Sequence, residues 1–271
     1  MRAFFGIVIL LAVMGGGSCS SPTALTNSEN TSPADLSVHG KLFATVFQQQ
    51  AAEYEALCFQ AYNLARLSLD QALKQPSSKP LAIVTDVDET VLDNSPYAVH
   101  RGLQGKDYDA ASWGAWVAKA ACDTLAGSLS FFNYAKGQGV EIFYVTNRNE
   151  NEREGTIKNL QRYSFPDADA AHLLLRQSTS TKEPRRQKIA ESHEIVMLLG
   201  DNLADFSSVF DKKSPGERLG QVQQNASAFG VRFIVFPNPV YGDWEEALFN
   251  YNSRLTPAQK DSILLKSLQG Y

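Results

Sequence analysis

Positive charge is in short supply: 25 Lys and Arg against 29 Asp and Glu give a formal net charge of −4 over 271 residues. That balance argues against extended binding to a nucleic-acid polymer, which needs clustered cations. It leaves room for a small phosphate ester, because one site needs only local positive charge. Cysteine is scarcer still, with three in the chain. Cys58 and Cys122 read as two buried free thiols, with pairing in an oxidising compartment as the alternative. There is no internal repeat, and past residue 14 no apolar run long enough to span a bilayer. What is present, 44% hydrophobic and 20% charged residues, suits one medium α/β domain with an elaboration and a sizeable core.

The amino terminus has a separate logic. Arg2 gives a positive start, Ala3 to Met14 form an apolar run, and Gly15-Gly16-Gly17-Ser18-Cys19 follow. The run is too short to cross a membrane comfortably and reads as the core of a signal peptide over 1–18. Small residues ending on cysteine resemble a bacterial lipobox, with Cys19 acylated and first in the mature chain. Gly16 departs from that pattern, which has leucine there. An ordinarily cleaved secretory signal, giving a secreted or periplasmic protein, and a retained anchor are the alternatives. Ser20 is not an acidic retention signal, so the expected address is the outer membrane of a Gram-negative envelope, reached through the lipid alone. Residues 19–38, rich in Ser, Thr, Asn and Pro, bury too little apolar surface to order themselves and read as a tether.

Residues 39–271 read as one domain. From Lys41 to Lys74 apolar residues recur at helical spacing, which predicts one long helix or two consecutive ones ending before Pro76. Short apolar segments follow at Leu81–Val84, Val140–Val145, His172–Leu175, Ile195–Leu199 and Val231–Phe236. Helical segments are predicted between them, at Ser128–Lys136, Glu150–Tyr163, Glu183–Glu191 and Leu203–Phe210. Strands apolar on both faces, alternating with helices, predict a parallel sheet covered on both sides. Two helices close the chain, over Asp243–Tyr251 and from Pro257, with Thr256 as cap. An aromatic-rich insertion at about 94–124 interrupts the alternation. It falls beside the carboxyl ends of the strands, where open α/β folds bind ligands. Trp116 and Trp244 are assigned to packing.

Four polar clusters each follow a predicted strand. In Thr85-Asp-Val-Asp-Glu-Thr-Val-Leu-Asp93, Asp86 and Asp88 are two apart, so on extended backbone both carboxylates point to one side. Their repulsion gives stability nothing, whereas a divalent cation gives the pair a use; an acidic capping turn is the alternative. Thr146 and Asn147, in Val145-Thr-Asn-Arg148, either hold phosphate oxygens or form a turn. Lys182, in Thr179-Ser-Thr-Lys-Glu-Pro-Arg-Arg186, either neutralises a nucleophile and its phosphate or belongs to a solvated basic face. In Leu199-Gly-Asp-Asn-Leu-Ala-Asp-Phe206, Gly200 allows a tight turn. Asp201 and Asp205 share a face if a helix opens there, and either is a candidate cation ligand, with a helix cap the alternative for Asp201.

Acid pair, hydroxyl, lysine, acid pair, in that order, resemble the haloacid dehalogenase (HAD) superfamily of phosphatases. Asp86-Val-Asp-Glu-Thr-Val-Leu-Asp-Asn-Ser-Pro-Tyr97 and Gly200-Asp-Asn-Leu-Ala-Asp-Phe206 are similar to the class C acid phosphatases, which include outer-membrane lipoproteins that dephosphorylate 5′-nucleotides. Glu89, where many superfamily members have glycine, favours this branch. The resemblance runs from about Gln48 to Tyr251. It implies a Rossmann-like HAD fold with a small, mainly helical N-terminal or inserted cap, and Mg²⁺ as cofactor. It implies Asp86 as nucleophile and Asp88 as acid and base, with Asp86, Asp201 and Asp205 at the metal and Asp88 there through its backbone oxygen. Thr146, Asn147 and Lys182 would hold the phosphoryl group, and Trp113 and Tyr241 would sandwich a planar group such as a nucleobase. The substrate is thus a small phosphate monoester. The resemblance leaves monomer and homodimer open. A phosphotransferase on the same fold and a non-catalytic storage or ligand-binding lipoprotein stay as rival readings.

Overall fold

A computed structural model describes residues 36–271; the signal peptide, Cys19 and most of the tether lie outside the described residues. Two helices come first, α1 (Leu36–Gln50) and α2 (Ala52–Ala72). The first begins three residues inside the segment read as a tether. Between the two helices Ala51 is extended, with φ −84° and ψ 120°, so the long apolar period divides into two consecutive helices. Strand β1 (Leu81–Thr85) follows, then β2 (Leu92–Asp93), α3 (Ser95–Gly102), α4 (Ala110–Ala118) and β3 (Asp123–Thr124). Strands β2 and β3 pair antiparallel and close off the insertion at its base.

The alternation then resumes. It runs α5 (Ser128–Gly137), β4 (Glu141–Val145), a 3-10 turn at Glu150–Glu152 leading into α6 (Arg153–Arg162), β5 (Leu173–Leu174), α7 (Glu183–Ser192) and β6 (Glu194–Gly200). After β6 the structure departs from the sequence reading. The segment Leu203–Phe210 is two separate 3-10 turns, Leu203–Asp205 and Ser208–Phe210, because Asn202 caps the first and Ser207 starts the second. The helix of this region comes later, as α8 (Pro215–Gln224). Its signal was legible: Ser214-Pro-Gly-Glu217 forms a capping box with proline at the first turn. Strand β7 (Phe233–Val235), α9 (Asp243–Leu248) and α10 (Pro257–Ser267) complete the chain, and Thr256 caps α10 as expected.

Five strands form one parallel sheet in the order β5-β4-β1-β6-β7. The chain therefore starts at the centre, builds outward on one side, then crosses β1 and builds on the other. At such a reversal the loops leaving adjacent strand tips diverge and leave a crevice at their carboxyl ends. Period-two alternation splits the core between the two faces. Ile83, Ile142, Tyr144 and Leu199 join Cys58, Tyr62 and Leu69 of α2 with Phe131 and Phe132 of α5. Ala82, Val84, Phe143 and Leu198 join Ile189 of α7 with Phe206 and Phe210. Each large side chain buried this way contributes roughly 1.5–3 kcal/mol. Cys58 and Cys122 are buried and free, and burial pushes both thiols up to about 12. Trp116 packs against the first core. Trp244 does not pack as assigned: it is 43% exposed, and its indole N–H donates to the carbonyls of Asn238 and Tyr241.

Candidate active site

The tip of β1 meets the tips of β4 and β6 at the crevice. Asp86, one residue past β1, stays in the ladder through its N–H to the Leu199 carbonyl, 2.9 Å. Its buried carboxylate accepts from the Lys182 ammonium. Lys182 sits at the start of α7 and is buried, not part of a solvated face. It also pairs with Asp205 Oδ1 at 2.6 Å. Asp205 Oδ2 accepts the Asn202 N–H at 2.9 Å, which fixes this carboxylate within the 3-10 turn. Gly200 turns out to serve space more than turning, since a methyl group there would overlap the Asp205 side chain. Arg186 pins the turn by donating to the Asp205 carbonyl at 2.7 Å. Asp201 Oδ2 accepts from Asn238 Nδ2 at 2.7 Å.

Carboxylate oxygens of Asp86, Asp201 and Asp205 lie within 4.8 Å of one another, the arrangement that could hold a metal ion among the described residues. Burial, followed by the charges of Asp205 and Asp88 and opposed by Lys182, pushes Asp86 up to about 7. Burial and the nearby Asp205 and Asp86 charges push Asp201 well above the usual carboxylate range. Lys182 shifts upward despite burial, because Asp205 and Asp86 favour its charged form. One lysine between three acids leaves the cluster short of positive charge. A hard divalent cation with oxygen ligands fits that donor set.

Asp88 is placed differently. Its carboxylate turns away from the three acids and meets Arg148 in a forked ion pair, Nη2 to Oδ1 at 2.7 Å and Nε to the two oxygens at 3.1 and 3.2 Å. Asn94 Nδ2 donates to the same Oδ1 at 2.8 Å, and Thr146 Oγ1 to Oδ2 at 3.4 Å. Asp88 is thus outside the side-chain cation group, and only its backbone is left for that role. Thr146 is buried at the tip of β4, whereas Asn147 is exposed. Arg185 holds this tip from beneath, donating to the Thr146 carbonyl at 2.6 Å and to Asn147 Oδ1 at 2.7 Å.

Asp86, Asp88, Arg148, Lys182, Asp201 and Asp205 line one cavity of about 630 Å³, which Trp113 and Tyr241 also line. Trp113 stands edge-on to Tyr97, with centroids 5.0 Å apart at 84°. The Arg148 guanidinium carbon lies 5.7 Å from its ring centre. Tyr241 comes from the loop after β7, and its hydroxyl donates to Glu89. Burial, with Asp88, Asp201 and Asp93 nearby, pushes the Glu89 carboxyl well above its usual range.

Residues 11–244 match the model of the HAD superfamily, subfamily IIIB (Acid phosphatase). The chain belongs to this family. Within it, the structure is similar to the class C acid phosphatase from Bacillus anthracis, with 43% identity and a TM-score of 0.84 over 88% of this chain and 99% of that one. The same Bacillus protein with tungstate bound gives 42% identity, the same TM-score and the same coverage. Acid phosphatase 1 of Solanum lycopersicum is 28% identical over 166 residues, which span 58% of this chain and 57% of the tomato protein. The sequence reading gave no role to Arg148, Asn94 and Asn238, and took Arg185 only as part of the basic segment Thr179–Arg186. Arg148 stood in the quoted Val145-Thr-Asn-Arg148 segment, and a cation beside a strand-tip hydroxyl was the available signal. Asn94 stood in the quoted Asp86–Tyr97 motif with no role of its own, and Asn238 carried no signal, since its partner Asp201 lies in another loop.

Proposed function

We propose that this chain is a divalent-cation-dependent phosphomonoesterase that passes the phosphoryl group through Asp86. The observation that carries the reading is the meeting of Asp86, Lys182, Asp201 and Asp205 on one cavity, with Asp88 held beside them. Asp86 Oδ is the nucleophile: it attacks phosphorus, the ester oxygen departs, and an aspartyl phosphate forms, which splits one hard displacement into two easier ones. Asp88 gives its proton to the departing oxygen, then takes one from the water that cleaves the aspartyl phosphate. Lys182, Thr146 and the backbone at Asn147 steady the transferring phosphoryl oxygens. Mg²⁺ would be held by the carboxylates of Asp86 and Asp201, with Asp205 close by and the backbone carbonyl of Asp88, and would offset negative charge as the two anions approach. The Bacillus relative has been solved with tungstate bound, a tetrahedral oxyanion of the same shape as phosphate.

The wall of the cavity supports a reading of the substrate. Trp113 on α4 and Tyr241 on the loop after β7 both line the cavity, which suits a planar leaving group such as a 5′-nucleotide. Base stacking is worth roughly 1–3 kcal/mol per contact. The amino-terminal pattern adds an envelope lipoprotein anchored through Cys19. Replacing Cys19 by Ala would move the protein into the soluble fraction, and membrane retention of that variant would count against the anchor.

The test is phosphate release from AMP, nicotinamide mononucleotide and p-nitrophenyl phosphate by wild type and Asp86→Asn, with EDTA and after adding Mg²⁺. Expected are loss with EDTA, recovery with Mg²⁺ and an inactive variant. Near-normal turnover by Asp86→Asn would remove the mechanism.

A further inference from the structure

Glu89 lies one residue past Asp88 and is 1% exposed. Its φ is +54°, a left-handed conformation that glycine adopts freely and a residue with a side chain adopts at a cost. Local structure alone asks for glycine at this position. The side chain therefore needs a use elsewhere, and its two oxygens show one. Oε1 accepts the Asn94 N–H at 2.8 Å, inside its own loop. Oε2 accepts the hydroxyl of Tyr241, 152 residues away on the far wall of the cavity. Tyr241 is 37% exposed and lines the cavity, with its hydroxyl tied to Glu89. The same loop is anchored once more through Asn238, which accepts from the Val240 and Tyr241 N–H groups at 3.0 and 3.3 Å and donates to Asp201. The loop backbone is thus set from one side and the ring from the other.

We infer that Glu89 is a positioning residue that sets the preference for esters with planar leaving groups, by fixing the Tyr241 ring at a defined angle against the cavity. This rests on the phosphatase reading above and adds to it the residue that orients the aromatic wall. A hydrogen bond between loops this far apart in sequence holds the ring at little entropic cost when the ester arrives, which is how preorganisation raises affinity.

The experiment compares kcat/KM for AMP with kcat/KM for glycerol phosphate, in wild type, Glu89→Gly, Glu89→Gln, Tyr241→Phe and the Glu89→Gly/Tyr241→Phe pair. Wild type is expected to prefer AMP. Glu89→Gly and Tyr241→Phe should each lower the AMP-to-glycerol-phosphate ratio about tenfold, mainly through KM for AMP, a size within reach of one stacking contact. The double variant should fall no further than either single one, since both break one link. Glu89→Gln, whose amide still reaches the hydroxyl, should retain most of the ratio. A purely structural role for Glu89 predicts the reverse pattern, because glycine relieves the backbone and leaves the ratio alone. An unchanged ratio in Glu89→Gly, additive losses in the double variant, or a wild type without preference for AMP overturns the inference. If Glu89→Gly does not fold, Tyr241→Phe decides by itself, and an unchanged ratio there overturns it. A wild type that hydrolyses neither ester removes the phosphatase reading first and this inference with it.

Discussion

Replacing Arg148 by Met should cost the metal-free protein several degrees of thermal stability. The guanidinium side chain is 1% exposed and its Asp88 partner 15%, so water screens the pair poorly. Arg148 supplies three of the contacts on that carboxylate, at 2.7, 3.1 and 3.2 Å. It also ties α6 to the tip of β4 through Thr156 Oγ1, at 3.0 Å. With methionine there, Asp88 Oδ1 keeps Asn94 and Oδ2 keeps only the long contact to Thr146. Removing one partner of a buried ion pair costs about 3–5 kcal/mol. The slight exposure of Asp88 places this case near the lower figure, about 3 kcal/mol. For a chain of this size each kcal/mol moves the melting temperature by about 2–4 °C, so the expected drop is about 6–12 °C. Arg148→Lys restores the charge without the fork and should recover only part of it. The assay is thermal unfolding by circular dichroism in EDTA, with AMP turnover measured beside it. A melting temperature within about 2 °C of wild type would show that the carboxylate does not depend on Arg148.

Three further outcomes follow from the same site. Because burial raises Asp86 from the ordinary 3.8 to about 7, the folded metal-free chain binds more protons than the unfolded one between those values. Its stability should therefore fall as pH rises through that window, with Asp201 and Glu89 acting in the same sense. Melting curves in EDTA should slope downward from about pH 5 to pH 7.5, and Mg²⁺ should flatten them; a rising slope would contradict the burial argument. Gly200→Ala places a methyl group on the Asp205 side chain and should displace it, lowering stability by about 1–3 kcal/mol and turnover with it. Wild-type turnover in a folded Gly200→Ala protein would show that Asp205 has room to move. Asp86→Asn should release no phosphate with or without Mg²⁺, as stated for the proposed function.

Much of this architecture was open to reading along the chain because it is written in short-range pattern. Leu81–Thr85, Glu141–Val145 and Glu194–Gly200 are apolar on both faces, which only a sheet covered twice requires. The start of α10 is written in Thr256-Pro257 and that of α8 in Ser214-Pro-Gly-Glu217, whereas the helical pattern of Leu203–Phe210 gives way to 3-10 turns. The order of the polar clusters behind the strands was equally plain. What they do to one another depends on the strand order β4-β1-β6, which linear sequence does not carry. That order brings Arg148 onto Asp88 across 60 positions and Lys182 onto Asp86 across 96. It separates the two neighbouring acids into different roles: Asp86 turns toward Asp201 and Asp205, Asp88 toward a guanidinium. Sequence determined that carboxylates, a hydroxyl and a lysine would stand at strand tips. Tertiary structure alone decided their partners, because electrostatic pairing follows distance in space, and the chain sets only distance along itself.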